Sequence, residues 1–175
     1  MVLGMNLVLF TRLHVMVSLI GLGTGCFMAF GMTRGKRWPA MTAVFVVTTA
    51  LTCLSGFLFP FLRVTPGIVL GAIALLALTI AMVARYGRRM AGGWRKAWVV
   101  GAMIALYLNF FIFVVQLFDK TPRIEAMGEV QKETLFAAVQ LGALVGFVLW
   151  TIKAARQFKP EGAAVEGGAA ASTAQ

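Results

Sequence analysis

The stretch AWVVGAMIALYLNFFIFVVQLF, residues 97–118, runs for 22 positions between Lys96 and Asp119 without one Asp, Glu, Lys or Arg. At about 1.5 Å of rise per residue, a helix of that length covers about 33 Å, against about 30 Å of bilayer hydrocarbon. Its strongest polar groups are two amides, Asn109 and Gln116, and it holds no charge. It reads as a membrane-spanning helix.

Four further charge-free runs surround it: residues 13–33, 38–62, 64–84 and 134–152, with 21, 25, 21 and 19 positions. Each is long enough to cross a bilayer. The 16 basic and 6 acidic side chains therefore all fall at helix ends, in connections or in the tail, as the cost of a charge at the bilayer centre demands. Charged residues make up 13% of the 175 positions, about half the share in an ordinary globular domain. A net charge of +10 would suit a nucleic-acid partner only if the basic residues shared a soluble face; here they alternate with apolar runs, so the expected partner is the lipid bilayer. The fold predicted is an all-α integral membrane bundle of five transmembrane helices, forming one domain over residues 1–158. Residues 159–175, rich in small residues with nothing to bury, read as a disordered cytoplasmic tail. The opening MVLGMNLVLF has no basic start and no small-residue cleavage site, so no cleaved signal peptide is read there; residues 3–10 extend the first helix or lie in the interface.

Orientation follows from the basic residues. The connection after the first run (Arg34, Lys36, Arg37), that after the third (Arg85, Arg88, Arg89, Arg95, Lys96) and the tail (Lys153, Arg156, Lys159) hold eleven. The other side holds five: Arg12, Arg63, Lys120, Arg123 and Lys132. The positive-inside rule then puts the N-terminus outside and the C-terminus in the cytoplasm. Trp38, Trp94, Trp98 and Trp150 all fall toward the cytoplasmic ends, where indole rings favour the headgroup layer.

Pairs of glycines four apart, Gly21 with Gly25, Gly67 with Gly71 and Gly142 with Gly146, flatten helix faces and predict close helix packing within the bundle, with homodimerisation as the alternative. Cys26 and Cys53 are expected at different depths and unpaired, as small buried hydrophobes. The ten methionines are scattered and make no soft-metal cluster. No carboxylate lies inside a run, which argues against ion-coupled transport, and hydrolase, phosphate-loop and zinc-protease signatures are absent.

The polar residues inside the runs are few. His14 is the single histidine, and Ser18 shares its helix face one turn on. Asn109 and Gln116, seven apart, lie nearly on one face; Gln140 opens the fifth run, and Thr48, Thr52 and Ser55 mark the second. His14, Ser55, Gln116 and Gln140 are expected in the external half, with Asn109 near the middle. Two readings stand: a ligand pocket built from His14, Ser18, Asn109, Gln116 and Gln140, with haem b or quinone as the cofactors such groups could hold, or hydrogen bonds that only tie neighbouring helices together.

The segments HVMVSLIGLGTG (14–25), TTALTCLSGFLFPF (48–61) and ALYLNFFIFVVQLFDKTP (105–122), with Gln140, resemble a family of small multi-pass proteins of the bacterial inner membrane, over most of the chain up to Phe158. The shared pattern is His-Val opening the first helix, a Gly-Phe-Leu-Phe-Pro run closing the second, and Leu-Asn followed by Val-Gln and a loop proline around the fourth. That family has no established activity, so the resemblance implies topology and location without a reaction. Its second histidine, at the start of the third helix, is replaced here around Ile68; a two-histidine haem would therefore need two copies of His14 in a dimer. The function expected is a non-catalytic accessory or binding protein of the inner membrane, alone, as a homodimer or in a larger membrane complex. A haem- or quinone-associated redox protein using His14 is the alternative, and permeation of a small neutral solute is the third reading.

Overall fold

Prolines and one asparagine set where the helices begin. In the computed structural model, which describes residues 4–60 and 65–158, α1 spans Leu7–Thr33 and opens on Asn6, whose side-chain oxygen accepts from the Val8 amide at 3.0 Å. That bond satisfies one of the four N–H groups a helix start leaves over. α2 (Pro39–Gly56) and α3 (Pro66–Met82) both begin with proline, whose missing N–H costs nothing in a first turn. α3 runs on into a π-helical turn, Val83–Gly87. α4 (Trp94–Lys120), the short α5 (Pro122–Glu125) and α6 (Glu129–Gln157) complete the chain. The described residues are all-helical, with no strand, and five of the helices are long and apolar enough to span a membrane.

The boundaries differ from the charge-free runs for physical reasons. α2 stops at Gly56, six residues before the expected end, and the amides of Phe57 and Leu58 turn back to the carbonyls of Leu54 and Ser55. Pro60 disfavours helical backbone at Phe59, so this apolar tail is loop. α1, α4 and α6 overrun their charge-free cores, α6 by five residues at each end. Absence of charge measures the hydrocarbon-spanning part of a helix; its ends continue where charged side chains are solvated. The third run ends in the π turn rather than at residue 84. The tail, Arg63 and Lys159 lie outside the described residues.

α1 packs on α2, α3 on α4, and α6 lies across α4 and α1. The tight core sits at one end of this bundle: Met28, Phe45, Leu78, Trp98, Met103, Leu106 and Phe158 are each nearly or fully buried there. The basic segments gather at that same end. Arg37 stacks on Phe158, Arg85 on Trp98, and Arg95 donates to the carbonyls of Ala155 and Phe158. Trp98 departs from its expected place in the headgroup layer: its ring is 0% exposed and part of the core.

The glycine pairs behave differently from one another. A Cβ on Gly25 would stand 2.5 Å from Leu106 Cδ1 and 2.7 Å from the Phe45 ring, and one on Gly21 3.0 Å from Thr48 Oγ1. Here glycine is what lets α1 approach its neighbours. Gly142 and Gly146 have open space beside them, on the outward side of α6, so they pack against no helix of this chain. A Cβ on Gly67 would meet only the neighbouring Thr65 hydroxyl at 3.7 Å, and one on Gly71 the tip of Phe57 at 3.9 Å, so neither makes a close approach. The tightest approach on α4 is at Gly101, where a Cβ would lie 2.7 Å from the Ala77 carbonyl oxygen. Spacing alone misses it because its partner face on α3 is built from alanines, Ala77 and Ala81.

A cavity at the loosely packed end

Opposite the tight core, α1 to α4 diverge around a cavity of about 770 Å³. Its lining runs along α4 and the residue that caps it, from Ala105 to Thr121, about 24 Å. It takes in the facing parts of α1 (Thr11 to Leu19), α2 (Thr49 to Gly56) and α3 (Pro66 to Ala74). The volume lies inside the range of small-molecule sites, and the wall is mainly apolar, with Phe57, Phe59, Phe111 and Phe113 among its members.

Four of the five expected site residues face this space: His14, Ser18, Asn109 and Gln116. The structure also ties most of them into helix-to-helix bonds, so the two sequence readings coexist. His14, half-buried, holds its Nδ1 2.8 Å from Ser55 Oγ on α2, with the Phe59 ring edge-on at 5.3 Å. The Ser18 hydroxyl donates to Asn109 Oδ1 at 2.9 Å, and Asn109 Nδ2 donates back to the Ser18 carbonyl at 3.3 Å. These paired bonds join α1 to α4 at the floor of the cavity, where Asn109 is buried. Gln116 is exposed and makes no hydrogen bond among the described residues, although it shares a stripe with Asn109.

Gln140 stands apart from the cavity. Its Nε2 donates to the Phe111 carbonyl at 3.2 Å, pinning α6 to the back of α4, while its buried Oε1 has no partner. Its place near the start of the fifth run says nothing of which side of α4 it meets.

Thr49 is the residue that sequence reasoning passed over. It is 1% exposed, lines the cavity, and its Oγ1 bonds to nothing. Its neighbours Thr48 and Thr52 instead donate to the carbonyls four residues back, the usual way a hydroxyl is satisfied in an apolar helix. A signal existed: Phe45, Thr49 and Cys53 recur at spacing four, one face of α2, and all three are buried. Cys53 is free and also lines the space; Cys26 is free as well. Among the described residues, the one Lys or Arg of the wall is Lys120, and no carboxylate belongs to it. No group of three His, Cys, Asp or Glu side chains among the described residues is placed to hold a metal ion.

Fold and cavity together define a class: an α-helical bundle of membrane-spanning helices, tightly packed at one end and hollow at the other, whose hollow presents neutral hydrogen-bonding groups on an apolar wall. Compared with known protein families, curated proteins and solved structures, the chain matches none.

Proposed function

We propose that this chain is a non-catalytic binding protein of the bacterial inner membrane, and that its cavity takes one small, largely apolar molecule with a neutral polar group. The observation that carries the reading is the cavity itself, a 770 Å³ space on whose mainly apolar wall stand His14, Ser18, Asn109 and Gln116. Lack of a carboxylate among the described residues of the wall favours a neutral or weakly anionic occupant over a cation.

The N-terminus is placed outside. Arg34, Lys36, Arg37, Arg85, Arg88, Arg89, Arg95, Lys153 and Arg156 are carried by the connections and helix ends that meet at the packed end, which supports a cytoplasmic location for it. The cavity then opens toward the external half. The resemblance to small multi-pass proteins of the bacterial inner membrane supports the same location. Permeation is disfavoured by the packed end, where Met28, Phe45, Trp98 and Leu106 leave no polar path among the described residues.

The test uses a probe with the apolar body alone, 1-decyl-2,5-dimethoxybenzene, and native mass spectrometry of the protein in detergent. Wild type is expected to retain one probe per chain. Gly71→Leu, which adds a side chain into the cavity without a close contact at Cβ, should lose about tenfold in affinity, or about 1.4 kcal/mol. Gly142→Leu, on the outer face of α6, should bind as wild type does. Equal retention by all three proteins, or none by wild type, would overturn the reading.

A further inference from the structure

Ser55 has a single proton to give, and its surroundings decide where that proton goes. Its Oγ lies 3.2 Å from the carbonyl of Thr52, one turn back on α2, and donates to it. With its proton there, Ser55 accepts from His14 Nδ1 at 2.8 Å, and the Nδ1-protonated tautomer is the one that satisfies both contacts. A neutral ring protonated at Nδ1 has a bare lone pair at Nε2. No carboxylate among the described residues of the wall stands by to hold the doubly protonated ring. Among the described residues nothing hydrogen-bonds Nε2, and His14 belongs to the cavity wall.

We infer that His14 offers this lone pair to the occupant of the cavity, so that the site selects an aromatic alcohol, a quinol or phenol on an apolar chain, over the matching quinone or ether. The inference rests on the cavity-binding reading above and names its ligand class. A quinone carbonyl only accepts hydrogen bonds, and against a lone pair it is repelled; a ring hydroxyl donates. The aromatic part of the preference comes from Phe59, set edge-on to His14, with Phe57, Phe111 and Phe113 along the same wall; ring edges and faces pair favourably in such a lining. The chain part comes from the length of the cavity, about 24 Å along α4. Ser55 is a positioning residue here: it touches His14 and fixes which nitrogen faces the ligand, as an outer partner fixes the tautomer of a functional histidine.

Because His14 is the single histidine of the chain, nitrogen-15 labelling of histidine gives one imidazole spectrum, free of overlap. In the ligand-free protein in lipid nanodiscs, the expected spectrum has a protonated Nδ1 and an unprotonated Nε2. Decylhydroquinone should shift the Nε2 resonance toward the hydrogen-bonded value and bind about tenfold tighter than decylbenzoquinone or the dimethoxy ether. His14→Ala should erase that preference while the dimethoxy ether still binds. Ser55→Ala, by freeing the tautomer, should raise quinone binding relative to hydroquinone. An Nε2-protonated ring, or equal affinities for hydroquinone and ether, would overturn the assignment while leaving the cavity reading intact. Failure of the ether to bind at all would sink the cavity reading and this inference with it. A haem Soret band carried by wild type and lost in His14→Ala would assign the lone pair to iron and overturn the proposal.

Discussion

Asn109 and Gln116 lie seven residues apart on α4 and do different work. Asn109 exchanges two hydrogen bonds with Ser18 across the α1–α4 contact and is buried, whereas Gln116 is exposed at the cavity rim. Interhelical bonds of this kind are worth about 0.6–2 kcal/mol, so Asn109→Leu should lower stability by about 1–2 kcal/mol in a denaturation titration. Gln116→Leu should leave it unchanged. Equal losses would mean that the α4 stripe acts as one unit. Gly25→Leu forces a side chain where Leu106 and Phe45 already stand; overpacking of this sort costs about 1–3 kcal/mol, against no change for Gly142→Leu in the same assay. At this scale the sequence told which residues were polar and where along each helix they sat. Partners across helices were not legible, because spacing gives the face of one helix and says nothing of the rotation of its neighbour. Thr49 escaped notice for that reason, as did the difference between the Gly21–Gly25 pair and the Gly142–Gly146 pair.

Among the five long helices, α6 is the most weakly held. Only Gln140 and Ala154 of its 29 residues are buried. Ring contacts of Phe136 with Phe118 and of Phe147 with Tyr107 and Phe110 line its seam with α4, and Arg95 closes its last turn by donating to the Ala155 and Phe158 carbonyls. The Ala155 carbonyl is among the four that a helix end leaves without partners, and Phe158 is the residue that follows the helix. Arg95→Met should fray this turn: hydrogen exchange of the amides at residues 154–157 should quicken about tenfold, with α4 unaffected. Unchanged exchange would show that Phe158, packed in the core, holds the end by itself. The existence of all five long helices was readable from absence of charge, since nothing else tolerates the hydrocarbon. Their ends were not, because residues 57–60 are as apolar as a helix interior and only Pro60 marks the turn, while α6 carries Glu129 and Lys153 as readily as any solvated helix.

For the whole molecule, the packing gradient from a filled end to a hollow one is the feature that matters. Large residues at the filled end (Trp98, Phe45, Phe158, Met103) are matched at the other by divergent helices that small and polar residues bridge one bond at a time. The hollow follows from three-dimensional rotation of four helices and left no mark in composition. The sidedness proposed from the basic residues makes its own prediction: a periplasm-active reporter fused after Gln157 should be inactive, and one inserted after Glu125, in the α5 turn, active. The reverse pattern would invert the topology and turn the cavity toward the cytoplasm.

The most direct measurement is a crystal structure of the protein with a brominated form of the apolar probe, 1-decyl-4-bromo-2,5-dimethoxybenzene, recorded at the bromine absorption edge. One anomalous peak per chain is expected inside the cavity, between α1 and α4 and near Ser18 and Asn109. Peaks confined to the outer faces of the helices, with the cavity free of bromine, would contradict it.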